Sequence, residues 1–247
     1  MISENRLAGP RLLGIETATD ACSVALCLAG ETDQRHECQP RQHSRRLFPM
    51  LKELLKGRAP GELALDAIVY GSGPGSFTGL RIAASSAQGL AFSLQLPVVP
   101  VSTLACQAMT AARENALPAG LILLSTLDAN IGQLYWGLYQ VTEEGCAELL
   151  PPAVCTPEAL PVAHIIAQVP TGAAVTCVGS GAALLADSAL PVDRRYPEVL
   201  PEARDLLPLA RIALAAGATQ SAAEVAPVYV QDATRWKKLA EQGRAHD

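Results

Sequence analysis

With 247 residues, 49% of them hydrophobic and 17% charged, the chain is long enough for one large domain or two lobes and apolar enough to build a core without disulfide or metal staples. A net charge of −5 and an aromatic content of 4% do not provide the basic footprint and stacking platform of a protein that grips nucleic acid unaided. No apolar run reaches the ~18 residues of a membrane span, and residues 1–10, with Glu4, Asn5 and Arg6, contain no apolar stretch of a secretion signal.

In chain order, residues 12–15 read as a strand ending on Glu16, 21–28 as a second strand, and 32–37 as a third after the break at Ala29-Gly30-Glu31. Leu47, Met50, Leu51, Leu54 and Leu55 recur at three- and four-residue steps and predict a helix. His43-Ser44 can open it, Pro49 points to a first turn nearer Leu47, and Gly57 and Pro60 close it. Residues 67–70 form an unbroken apolar run, the mark of a buried strand. A glycine-rich turn comes next, then a long small-residue helix to about Leu94. A strand over 97–101 and a helix capped by Ser102 or Thr103 and running to about Asn115 complete this half.

The second half repeats the order. Strands are predicted over 121–127 (ending on Asp128), 132–141 and 146–150, a helix over 157–168, a strand over 175–178, and helices over 182–189 and 205–216. The tail reads as an extended piece at 227–230 and a helix over 232–242. A repeat of roughly 110 residues with hairpin strands followed by helix–strand alternation predicts two α/β lobes with mixed sheets flanked by helices. That is the ribonuclease H-like topology, doubled as in the actin and sugar-kinase superfamily. The expected divisions are a flexible 1–10, a first lobe over 11–103, a second over 104–218, and a segment 219–247 packing back on the first lobe.

Seven cysteines, an odd number with no Cys-x-x-Cys pair, argue against a disulfide framework or zinc ribbon and for a reducing, cytosolic compartment. Residues 35–58 carry seven Lys/Arg against Glu37 and Glu53, a local net of +5; this is either a solvated helix face or a patch for an acidic partner or an RNA backbone. Gly73, Gly75, Ser76, Thr78 and Gly79 form the strongest local motif. It matches neither a P-loop, which needs a lysine after Gly79, nor a dinucleotide fingerprint, where Gly71 and Gly73 reach Ser76 and Thr78 instead of glycine. Its two readings are an anion-accepting helix start and a tight turn that seats a helix on its sheet. On that helix Ser85, Gly89 and Phe92 make a stripe that is either a partner surface or a buried seam. Glu16 and Asp128 end matching strands as single acids, not the carboxylate cluster of a two-metal nuclease. The four histidines lack His-x-x-x-His spacing, no Gly-x-Ser-x-Gly elbow occurs, and so no catalytic residue and no metal site is assigned.

Leu13-Gly14-Ile15-Glu16-Thr17-Ala18-Thr19, His43-Ser44 and Gly73-Pro74-Gly75-Ser76-Phe77-Thr78-Gly79-Leu80-Arg81-Ile82 together resemble the bacterial TsaB family, also called YeaZ. The likeness continues through Val99–Leu104, Leu127-Asp128-Ala129 and Pro227-Val228-Tyr229. Asn130 and Gln133 stand where the family commonly has Arg and Glu, and Val230-Gln231 where it has Leu-Arg. The resemblance implies an actin-like fold and a non-catalytic partner of the paralogous TsaD, which transfers threonylcarbamoyl to N6 of the adenosine beside the anticodon. TsaD holds a His-x-x-x-His metal site; here the position four after His43 is Leu47. The implied partner surface is the helix pair 43–56 and 76–94, with His43, Leu47, Met50, Leu51, Arg81, Ser85, Gly89 and Phe92 on it and Leu47, Met50, Leu51 and Phe92 as anchors. Further implications are a TsaE-like ATPase as third subunit, tRNA met through the complex, a homodimer when alone, and ATP or ADP and a metal ion only in the assembly.

Overall fold

The computed structural model describes residues 9–130 and 132–230. The expected helix over 232–242 and most of the expected flexible 1–10 lie outside the described residues. Five strands, β1 (Leu12–Glu16), β2 (Ala21–Leu28), β3 (Glu31–Cys38), β4 (Ala67–Gly73) and β5 (Val98–Ser102), form one sheet in the order β3-β2-β1-β4-β5. β1, β2 and β3 pair antiparallel through their hairpins, while β4 and β5 join in parallel. The second sheet repeats this plan with β6 (Ile122–Asp128), β7 (Leu134–Val141), β8 (Cys146–Cys155), β9 (Val175–Val178) and β10 (Val192–Tyr196), ordered β10-β9-β6-β7-β8. The duplicated mixed sheets are two ribonuclease H-like lobes, the actin-like arrangement expected from the repeat.

Helices α1 (His43–Leu54) and α2 (Phe77–Leu94) cover the outer face of the first sheet. There Leu13, Ile15, Val24, Ile68 and Tyr70 meet Leu47, Met50, Leu51, Ala83 and Ala87 in one core. Alternation along the strands sends Leu12, Ala25, Val69 and Val99 to the other face. That face is closed by α5 (Ala203–Ala215), through Ala203, Leu206, Leu207 and Ala210. α3 (Thr103–Glu114), which comes after the first sheet in sequence, packs instead on β6 and β7 of the second, through Leu104, Ala108 and Ala111. Residues 203–215 therefore pack on the first lobe's sheet, although they come after the second lobe's strands in sequence. α3 and α5 lie against each other, joined by Thr110 donating to buried Asp205 at 2.8 Å and by Arg113 reaching Asp205 at 2.9 Å and Glu202 at 2.7 Å.

Several elements differ from expectation. α1 begins at His43 with Pro49 inside it; Pro49 and Arg45, whose carbonyl loses its helical donor, both face outward, so water can serve that carbonyl. The expected helix over 157–168 is a 3₁₀ turn (Pro157–Ala159) and a short α4 (Val162–Ile166), because Pro157 and Pro161 interrupt the backbone ladder. The expected helix over 182–189 is a 3₁₀ segment, Ser180–Leu185, and the chain then enters β10, a strand that the sequence pattern does not announce. The outer cover is thus two long helices on the first lobe and short turns on the second. Among the described residues no helix is long and apolar enough to cross a membrane.

Candidate functional site

The helix starts are set by the hairpin of β1 and β2. Ser76 donates its N–H to Ala18 O at 2.7 Å and caps α2 by accepting from Gly79 N–H at 3.3 Å. Thr17 donates to Gly79 O at 2.8 Å, and a Cβ on Gly79 would collide with Thr17 O, so only glycine lets this turn close on the hairpin. The glycine-rich loop thus packs the start of α2 on the hairpin, with two of its N–H groups, Ser76 and Gly79, already engaged. His43, buried at the start of α1, donates Nε2–H to Thr19 O at 2.8 Å and Ala21 O at 3.1 Å. Carbonyls only accept, so Nε2 carries the proton and cannot ligate a metal in this arrangement.

The outward side of the helix pair is unusual. The chain has three phenylalanines, and all of them are exposed here: Phe48 on α1 at 60%, and Phe77 and Phe92 on α2 at 56% and 79%. Phe77, Arg81, Ser85, Gly89 and Phe92 succeed one another at three- and four-residue steps, an exposed stripe along roughly 22 Å of α2. A Cβ on Gly89 would meet nothing within 4 Å. At one end Arg81 stacks over Phe77, 3.8 Å from the ring centroid, and donates to Tyr229 Oη at 3.0 Å, while the Phe77 and Tyr229 rings lie 5.5 Å apart. Between α1 and α2 a hollow of about 230 Å³ is lined by Phe48, Leu51, Leu55, Pro60 and Leu90.

A larger cleft of about 920 Å³ opens between the lobes, bordered by Asp20, Arg41, Ser76, Thr78, Asp128, Asn130 and Tyr135. Behind it Glu16 is fully buried at the end of β1. Its carboxylate accepts Ala18 N–H at 2.7 Å and Thr103 Oγ1–H at 3.3 Å, and burial pushes its pKa up to about 7. Gly71 makes the room: a Cβ there would overlap Glu16 Oε2.

Known proteins resemble the chain across nearly its whole length. A family model described as TsaD, tRNA N6-adenosine threonylcarbamoyltransferase, matches residues 36–245. The chain is 39% identical to the tRNA threonylcarbamoyladenosine biosynthesis protein TsaB of Escherichia coli (strain K12), over 93% of this chain and 98% of that one. Identity to the TsaB of Haemophilus influenzae is 35%, over 92% and 96%. The chain belongs to the TsaB family. Among solved structures it is similar to YeaZ from Pseudomonas aeruginosa, with a TM-score of 0.80, 38% identity and coverage of 89% of this chain and 99% of that one. A second Pseudomonas aeruginosa structure, described by its similarity to peptidase YEAZ, gives a TM-score of 0.81 at 38% identity, covering 90% and 100%.

The structure gathers Arg81, Ser85, Gly89 and Phe92 on the exposed stripe but takes Leu47, Met50 and Leu51 away from it. Those three are 1%, 0% and 4% exposed and hold α1 to its own sheet. His43 is likewise turned inward. Sequence reasoning missed Phe48 and Phe77. The available signal was an aromatic one place off the Leu-rich face, between Arg45 and Lys52 at helical spacing. The local excess of cations is largely neutralised at one end: Arg35 and Lys56 pair with Asp33, at 2.9 and 3.5 Å, and Arg46 with Glu37 at 2.8 Å.

Proposed function

We propose that this chain serves tRNA threonylcarbamoyladenosine formation as a non-catalytic docking subunit, with the outer face of α1 and α2 bound to a TsaD-like transferase. The observation that carries the reading is the exposure of Phe48, Phe77 and Phe92 on that face. Large aromatics are the side chains that act as anchors when desolvated at an interface. Ser85 and Gly89 between them keep the helix backbone approachable, as close helix–helix contact requires. The relatives named TsaB support the pathway, and the inward-bonded His43 with Leu47 four places on supports a role without chemistry of its own.

On this reading a TsaE-like ATPase and the tRNA join through the assembled complex in the cytoplasm. ATP or ADP and a metal ion are held there rather than by the isolated chain. A second copy of the chain takes the same face when the transferase is absent. The test is Ser85→Arg, which drives a long charged side chain into the helix seam. Capture of the TsaD-like protein is expected to be lost while the melting temperature of the free chain stays put; unchanged capture removes α2 from the interface.

A further inference from the structure

We infer that the partner this face selects presents carboxylates around an apolar seam, and that the face electrostatically disfavours a second copy of itself. The inference rests on the docking role just proposed and goes on to name the partner's chemistry. Arg45 and Lys52 flank the exposed Phe48 about one turn to either side, and Arg81 lies on the stripe of α2. Among the described residues none of these three cations pairs with a carboxylate. α2 contains no Asp or Glu, and the single acid on α1, Glu53, faces Arg46 at 3.9 Å. The face is therefore cationic on a chain whose net charge is −5.

A two-fold contact between identical chains lays this face on its own copy, bringing like charges together inside a Debye length of about 8 Å at physiological ionic strength. An acidic helical face gains what the copy loses, in encounter rate as well as in discrimination. The two occupants must then respond to salt with opposite signs.

The experiment measures two dissociation constants by sedimentation or fluorescence for the full-length chain, one with the TsaD-like transferase and one for self-association. Salt is raised from about 0.1 M to about 1 M, over which the Debye length shrinks from about 10 Å to about 3 Å. The heterocomplex is expected to weaken by roughly tenfold and self-association to strengthen. Arg45→Glu combined with Lys52→Glu is expected to do the same at low salt. A heterocomplex that tightens with salt or ignores it, or a self-association that weakens with salt, overturns the inference. Phe92→Glu separates the two levels: if it leaves hetero-binding intact the docking face itself is wrong, whereas if it abolishes binding and the salt signs fail, only the charge assignment falls.

Discussion

Leu47 and Phe48 are neighbours in α1 and point opposite ways, Leu47 with 1% of its surface exposed and Phe48 with 60%. One step along the helix separates a residue that holds the fold from one available to a partner. The contrast makes the first prediction. Leu51→Ala should lower stability by about 2–5 kcal/mol through a core cavity. Phe48→Ala should stay within about 0.5 kcal/mol of the parent yet impair capture of the transferase. Urea melts beside pull-downs check both; a large stability loss for Phe48→Ala would mean that its ring is not a surface feature.

The glycines of α2 give an opposed pair. Gly79→Ala forces a Cβ onto Thr17 O and is expected to cost about 3 kcal/mol or more, or to prevent folding. Gly89→Ala meets open space and should stabilise the helix by about 0.5–1 kcal/mol while thickening the seam. Thermal melting of the two variants gives the signs directly, and equal effects would disprove the separation of packing glycine from surface glycine.

Glu16 predicts a pH dependence. Its carboxyl rises from an ordinary 4.5 to about 7 through burial, so between those values the folded chain binds more protons than the unfolded one. Stability from this group is complete below about 4.5 and is lost as the pH rises through about 7. Glu16→Gln keeps the acceptor for Ala18 N–H without the charge. It should therefore be more stable than the parent at pH 8, by on the order of 3 kcal/mol, with little difference at pH 4. Parallel stability curves for the two proteins between pH 4 and pH 8 would rule this out.

The isolated chain should give no saturable heat with ATP and magnesium. Ser76 and Gly79 N–H groups, which a phosphate cradle would need, are bonded to Ala18 O and Ser76 Oγ. Calorimetry decides the matter, and tight saturable binding would show that the isolated chain holds a nucleotide after all.

Much of the architecture could be read from the residues because buried strands are continuous apolar runs: β1, β4, β6 and β9 fall within a residue or a few of their expected ranges. The misses are edge elements. β10, Val-Asp-Arg-Arg-Tyr, has no apolar alternation because it pairs with β9 alone. β8 runs on through Pro151 and Pro152, which an edge strand tolerates since half its donors have no neighbour to serve. At the site, helical periodicity identified Leu47, Met50 and Leu51 as one face but could not say whether that face met its own sheet or another chain. Phe48 was hidden for the same reason. The polar join of Thr110 and Arg113 to Asp205 left no local pattern, because Asp205 lies more than ninety residues from the other two.

Because α5 closes the sheet begun by β1 and α3 closes the sheet of the second lobe, neither half is complete without the other. A fragment cut after β5 would leave Leu12, Ala25, Val69 and Val99 facing water, and during synthesis that surface stays bare until about residue 215 has left the ribosome. The two lobes are interlocked by these crossed helices, and expression in halves is expected to leave each sheet with one face uncovered.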